Sequence, residues 1–161
     1  MSCCDNEIKR TVKQSYGKIW QNEGTCCDSS CEPGKAVSLS LQTPHEALLK
    51  EIMPLEGKKI LDVGCGTGDT VLELTKKVGS KGKAVGIDFS EEGIEKAKKK
   101  AVELGLEKVT EFRVADAEEL PFKDNYFDVV ISECVVCLTP DKQKALSEKT
   151  RVLKPGGKIV M

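Results

Sequence analysis

The sequence predicts an α/β fold: a doubly wound, mostly parallel sheet preceded by an N-terminal helical, Cys-rich extension. Three observations carry that reading. Short apolar runs of strand length, such as Lys59-Ile60-Leu61-Asp62-Val63, alternate with amphipathic stretches of helical spacing, as in repeated strand–helix units. The first of these strands runs into an acidic residue and a loop with glycine at every second position, Asp62-Val63-Gly64-Cys65-Gly66-Thr67-Gly68. A second acidic strand end follows twenty residues after Gly68, at Asp88 in Ala84-Val85-Gly86-Ile87-Asp88-Phe89.

Each element has its own local cause. Ile8, Val12, Tyr16, Ile19 and Trp20 recur at helical spacing and predict an amphipathic helix from Ile8 to Trp20. Gly24 to Gly34 has no periodicity, holds three cysteines, and reads as a loop. In Thr43-Pro44-His45-Glu46 a capping-box pattern coincides with proline at the first helical position. A helix is expected from there to about Ile52, before Pro54 and Gly57 break the chain. The first strand covers about Lys59 to Val63, and a helix follows from about Asp69 to Val78. Gly79 to Gly82 turn the chain into a second strand, about Lys83 to Asp88. Ser90 caps the next helix, Glu91 and Glu92 sit at the positive end of its dipole, and Gly105 stops it. The third strand spans about Val109 to Val114 and the fourth Phe127 to Ser132. Thr139-Pro140 opens a helix through about Leu153, ended by Pro155-Gly156-Gly157, and Lys158 to Met161 begin a fifth strand. The sheet is therefore expected to be truncated after about five strands. Its last edge would be incompletely covered, as in a fragment or where something else covers it. The chain divides into residues 1–44, the N-terminal helix and Cys-rich loop, and residues 45–161, the core.

A chain of 161 residues suffices for one compact domain. Its 25 basic and 26 acidic side chains give a net charge of −1, which lacks the basic excess of a nucleic-acid binder. The run Lys96, Lys98, Lys99 and Lys100 follows Glu92 and Glu95 at four-residue spacing and reads as a solvated, ion-paired helix face. No apolar run approaches the roughly 20 residues that span a bilayer, and the N-terminus lacks a signal-peptide pattern, so a soluble cytoplasmic protein is expected. In that compartment eight cysteines point to thiol chemistry or metal binding rather than to disulfides. The single histidine, His45, reads as a surface residue at a helix start.

The glycine loop points to a nucleoside-bearing ligand. The dinucleotide pattern G-x-G-x-x-G places its third glycine one position later than the G-x-G-x-G found here. S-adenosylmethionine has no pyrophosphate; its zwitterionic amino-acid end suits bare backbone at Gly64, Gly66 and Gly68 beside Asp62. Cys65, inside the loop, acts as a small filler. Asp88 can accept both ribose hydroxyls, and Phe89 can cover the adenine face. After the third strand, Asp116 can accept from the adenine amino group and the Ala117 amide can meet a ring nitrogen. Ser132, at the end of the fourth strand, belongs to the same set. Tyr16 and Trp20 either lid the cofactor or form the buried stripe of the first helix. Cys134 lies beyond the carboxyl end of the fourth strand, near the cofactor's reactive end. Cys137 reads as a buried small hydrophobe, although Cys134-x-x-Cys137 also has the spacing of a redox or metal half-site. Cys26-Cys27 is a second close pair, so a zinc site stays open.

On these motifs, with Arg151-Val152-Leu153-Lys154-Pro155-Gly156-Gly157, residues from about Lys59 to Met161 resemble the class I S-adenosylmethionine-dependent methyltransferases. The resemblance implies their Rossmann-like methyltransferase fold, of whose seven strands this chain supplies about five. A narrower resemblance is to the arsenite methyltransferases. It rests on Val12-Lys13-Gln14-Ser15-Tyr16-Gly17-Lys18-Ile19, on Cys26-Cys27 and Cys31, and on Ile131-Ser132-Glu133-Cys134-Val135-Val136-Cys137-Leu138-Thr139-Pro140-Asp141-Lys142. It implies Cys134 with Cys26 or Cys27 as arsenic-handling cysteines and Cys27, Cys31 and Cys134 as an arsenic ligand set. Arsenite or a thiol adduct of it would be the small-molecule substrate, with thioredoxin or glutathione as reductant. One cysteine of that family is missing: Val37-Ser38-Leu39-Ser40-Leu41-Gln42-Thr43-Pro44 holds none, and Cys27, Cys31 or Cys137 is left to replace it. The alternatives are a methyltransferase for another small molecule or thiol, and a cofactor- or zinc-binding fragment without turnover.

Overall fold

A computed structural model describes residues 3–21, 50 and 52–161. The Gly24–Gly34 loop, Cys26, Cys27, Cys31 and His45 lie outside the described residues. So does the helix expected from Thr43, except that Lys50 and Ile52 are helical. The described chain runs α1 (Cys3–Gln21), β1 (Lys59–Val63), α2 (Asp69–Val78), β2 (Lys83–Asp88), α3 (Glu91–Glu103), β3 (Thr110–Val114), β4 (Phe127–Ile131), α4 (Lys142–Val152) and β5 (Leu153–Val160), with a 3-10 turn at Val136–Leu138 before α4. The strands form one sheet in the order β3-β2-β1-β4-β5, every pair parallel. The expected doubly wound α/β sheet is therefore observed.

Alternation along the strands builds two apolar layers. Ile60, Ala84, Phe112, Val129 and Ile131 pack with Val71, Leu74, Ile94 and Ala97 of α2 and α3. Leu61, Val63, Val85, Ile87, Phe127 and Val130 pack on the other side with Val152 of α4. One side of the sheet is thus covered by α2 and α3, and the other by α4 together with Leu120 and Phe122. This is why β1, β2 and β4 read as nearly continuous apolar runs rather than alternating ones. Phe127 is fully buried and meets the rings of Phe122 and Tyr126 edge-on at 5.0 and 4.9 Å.

Helix starts follow their caps. Ser90 Oγ accepts from the Gly93 amide and opens α3 as the sequence predicts. The last helix starts at Lys142, two residues after Pro140, because the Asp141 carboxylate accepts from the Lys144 amide and takes the capping position. At its far end the expected break at Pro155-Gly156-Gly157 takes another form. Pairing with β4 begins at Leu153 opposite Phe127 and resumes with Lys158 opposite Val129, so Lys154–Gly157 bulge out with Gly156 at φ +76°. β5 is the edge strand and none of its residues is buried.

α1 extends five residues before the predicted Ile8 and packs against α3. Gly17 is buried there, and a Cβ on it would lie 3.1 Å from Glu92 Oε2. Lys13 Nζ pairs with Glu91 Oε1 at 2.7 Å. Within the lysine run, Lys98 and Lys99 are exposed, and Lys100 pairs with Asp69 at the start of α2. On α4, Lys149 has no solvent exposure, and its ammonium nitrogen has no hydrogen-bond partner among the described residues. Among the described residues no helix is long and apolar enough to cross a membrane.

Candidate active site

The order β3-β2-β1-β4-β5 makes β1 the strand from which the chain winds in both directions. The carboxyl ends of β1, β2 and β4 therefore converge on the crevice where open α/β sheets bind ligands. β1 delivers Asp62 and then the glycine loop. The Gly64 and Cys65 amides both donate to the Ile87 carbonyl, at 2.8 and 2.9 Å, and tie the loop to β2. Gly64 has φ +88°, and a Cβ on it would lie 2.1 Å from Val135 Cγ2. Only glycine lets the β4 exit close over this backbone.

Asp88, at the end of β2, organises the other side of the loop. Its Oδ2 accepts from the Gly66 amide and its Oδ1 from the Ser90 amide, both at 2.8 Å. One carboxylate thus fixes the glycine loop and the entry to α3, while its residue lines the crevice. Asp62, behind it, is 6% exposed. Burial, then the negative charges of Glu133 and Asp88, push its carboxyl up to about 7. Because that value lies above the ordinary 3.8, the stability the protonated form contributes is complete below about 4 and lost as pH rises through about 7.

The crevice is a cavity of about 490 Å³, within the roughly 300–1,000 Å³ typical of small-molecule sites. Of the residues singled out from sequence, Tyr16, Gly64, Asp88, Phe89, Asp116, Ala117 and Cys134 line it. Asp62, Cys65, Gly66, Gly68 and Ser132 do not line it. Gly66 and Gly68 shape the loop. A Cβ on Gly68 would meet Phe112 and Ala97 at 2.7 and 2.8 Å, so this glycine serves packing. The Cys65 side chain packs into the core, where burial and then Asp62 and Asp88 hold its thiol far above the usual range. It is a filler, as its size suggests. Ser132 is 2% exposed, and its hydroxyl has no partner among the described residues.

Three contributors were missed from sequence. Lys9 lines the cavity and ion-pairs with Asp116 Oδ2 at 2.6 Å and Glu118 Oε2 at 2.8 Å. Burial opposes the Lys9 charge, but the hydrogen bonds and charges of Asp116 and Glu118 outweigh it and hold its pKa above the usual value. Glu118, 5% exposed, also accepts from the Asp141 amide at 3.0 Å and so joins α1 to the start of α4. Glu133 lines the cavity beside Cys134. The signal for Lys9 was present: Lys9, Val12, Lys13 and Tyr16 are spaced as one helix face, and all four line the cavity. Lys13 Nζ also stands 5.8 Å from the centre of the Phe89 ring. Lys9→Met is expected to loosen α1 by about 2 kcal/mol, since hydrogen bonds to charged groups are at stake. Hydrogen exchange should show faster α1 amides with the β1 and β4 amides unchanged.

β4 ends in a turn that bears both cysteines of the C-x-x-C. Cys134 is exposed with φ +56°. Cys137 is also exposed, which corrects its expected role as a buried hydrophobe: the 3-10 turn at Val136–Leu138 points it outward instead of into the core. Among the described residues no group of three or more His, Cys, Asp and Glu side chains is placed to hold a metal ion.

A family model described as a methyltransferase domain matches residues 54–161, and the chain belongs to that family. Among particular relatives, the demethylmenaquinone methyltransferase of Bacillus cereus is 44% identical over 120 residues, covering 72% of this chain and 50% of that protein. A solved S-adenosylmethionine-dependent methyltransferase from Aquifex aeolicus aligns with a TM-score of 0.64 at 37% identity, over 70% of this chain and 59% of that one. An arsenic(III) S-adenosylmethionine methyltransferase from Chlamydomonas reinhardtii aligns with a TM-score of 0.62 at 36% identity, over 66% and 38%. The chain spans about half the length of the curated relatives it matches.

Family and fold imply S-adenosylmethionine as cofactor. The residues present fit it: a cavity of suitable size, bare backbone at Gly64 and a carboxylate at Asp88.

Proposed function

We propose that this chain is the cofactor-binding part of an S-adenosylmethionine-dependent methyltransferase whose acceptor is trivalent arsenic held by cysteine thiolates. The observation that carries the reading is that Cys134 lines the same cavity as Gly64, Asp88 and Phe89. Gly64 would hold the amino-acid end of the cofactor, with Asp62 and Ser132 behind the cavity wall, Asp88 the ribose, and Phe89, Asp116 and Ala117 the adenine. Tyr16 would lie over it from α1. When bound, the cofactor supplies an electrophilic methyl group on a sulfonium sulfur.

Trivalent arsenic is a soft centre that suits sulfur ligands. It brings its own lone pair, so the chain needs no group to remove a proton. The residues' task is orientation, worth up to ~7–11 kcal/mol when the reactants are well placed. Cys26, Cys27 and Cys31 are the proposed further thiolates from the N-terminal segment, and glutathione or thioredoxin is the proposed thiol partner.

A second reading has two observations in its favour. Relatives at 44% identity are named demethylmenaquinone methyltransferases, and Val12, Val135, Leu138 and Pro140 give the cavity apolar walls suited to a hydrophobic ring. The two readings separate with methyl-labelled cofactor and either arsenite plus glutathione or a quinol as acceptor. Label in methylated arsenic, reduced at least about 100-fold by Cys134→Ser, is the expected result. Label in the quinol, indifferent to Cys134, would transfer the assignment to the second reading.

The carboxylate at Asp62 adds a pH signature. A cationic cofactor favours its ionised form, so cofactor affinity is expected to rise as pH climbs through about 7. Asp62→Asn should flatten that rise in a series of calorimetric titrations.

A further inference from the structure

Cys137 has no part in the site described so far. We propose that Cys134 and Cys137 together form a two-thiol site for a trivalent arsenical, with Cys137 as the second protein thiolate of the acceptor. This rests on the arsenic reading above. The two cysteines sit at either side of a single tight turn. The Leu138 amide donates to the Val135 carbonyl at 2.9 Å and the Thr139 amide to the Val136 carbonyl at 3.3 Å. The Cys137 thiol donates to the Cys134 carbonyl oxygen at 3.1 Å. That oxygen is only three bonds from the Cys134 Cβ, so the Cys137 sulfur stands beside the backbone from which the Cys134 side chain departs.

The backbone supports the same assignment. Cys134 has φ +56°, and left-handed backbone costs a non-glycine residue roughly 1–3 kcal/mol when the surroundings enforce it. The next residue, Val135, closes over Gly64. At this turn Cys134 lines the cavity while Cys137, three residues on, is exposed and does not line it. An arsenical entering from solvent meets both thiols at the mouth of the crevice. Cys65, the other cysteine whose side chain is described, is packed into the core.

The chemistry balances without an oxidant or reductant. Arsenous acid, As(OH)₃, exchanges two hydroxyls for the two thiolates; each thiol loses its proton, and two waters leave. A free monothiol displaces the last hydroxyl as a third water. Two thiols on one rigid turn bind as a chelate, at least about 100-fold more tightly than either alone.

The test uses the full chain carrying Ser at Cys3, Cys4, Cys26, Cys27 and Cys31, with phenylarsine oxide as probe. This reagent joins two thiols with loss of one water. One phenylarsenic group per chain in the intact mass, two fewer titratable thiols, and an affinity at least about 100-fold weaker after Cys137→Ser are expected. Binding that consumes one thiol, or that survives Cys137→Ser unchanged in a variant with native circular dichroism, overturns the proposal. Arsenite methylation by the parent chain separates the two claims. If Cys134→Ser abolishes it but the two-thiol adduct never forms, the inference about Cys137 fails and the function stands. If the adduct forms but arsenite is never methylated, the two-thiol site stands and its acceptor role fails.

Discussion

Asp88→Ala is expected to lower the affinity for S-adenosylmethionine at least about 100-fold, measured by calorimetric titration, with the far-ultraviolet circular dichroism retained. The size follows from the two tasks of this carboxylate. In the free protein it holds the Gly66 and Ser90 amides at 2.8 Å each, and hydrogen bonds to a charged group contribute about 1.5–3 kcal/mol apiece. In the proposed complex it also accepts from the ribose. A 100-fold loss corresponds to about 2.7 kcal/mol, so failure of either task alone accounts for it. The Gly64 and Cys65 amides stay anchored to Ile87, and the strand pairing does not involve the Asp88 side chain, so the sheet survives. A folded Asp88→Ala protein with parental affinity would remove both tasks from the account.

Lys149→Leu is expected to stabilise the chain by about 2 kcal/mol, since apolar replacement of buried charged groups commonly gains ~1–4 kcal/mol. For a domain of this size that is roughly 4–8 °C in melting temperature. Lys149 has no exposure, and its amine has no partner among the described residues. Burial alone holds its pKa below the usual 10.5. The sign of the pH dependence follows: the unfolded chain binds a proton here more readily than the folded one, so the cost falls as pH rises toward 10.5. The gain from Lys149→Leu should therefore be largest at neutral pH and shrink in alkaline buffer. Thermal melts at two pH values measure it, and a neutral or destabilising substitution would contradict the packing described for α4.

What was legible in the sequence was local. β1, β2 and β4 declare themselves because strands buried on both faces are apolar throughout. The glycine loop does so because only glycine tolerates Val135 against Gly64 and Phe112 against Gly68. Ser90 announced its helix through a side-chain bond three residues long. What stayed hidden joins distant parts of the chain. Lys9 reaches Asp116 and Glu118 across more than a hundred residues, and no periodicity marks that pair. The facing of Cys137 depends on a 3-10 turn, which has no sequence repeat long enough to read. The start of the last helix moved because proline and Asp141 both suit a helix opening, and the capping bond to Lys144 decides between them. Lys149 lies in line with Ala145 and Val152 on the buried face of α4, so its burial follows from helical spacing even though its charge argues against it.

The central claim is that the crevice at the ends of β1, β2 and β4 holds S-adenosylmethionine between Gly64 and Asp88. Calorimetric titration of the folded chain, with circular dichroism and a cooperative melt as the measure of folding, tests it most directly. One cofactor per chain is expected, displaced by S-adenosylhomocysteine and weakened by Gly64→Val. A cooperatively folded chain that takes up no cofactor, or that binds it equally well with valine at position 64, would contradict it.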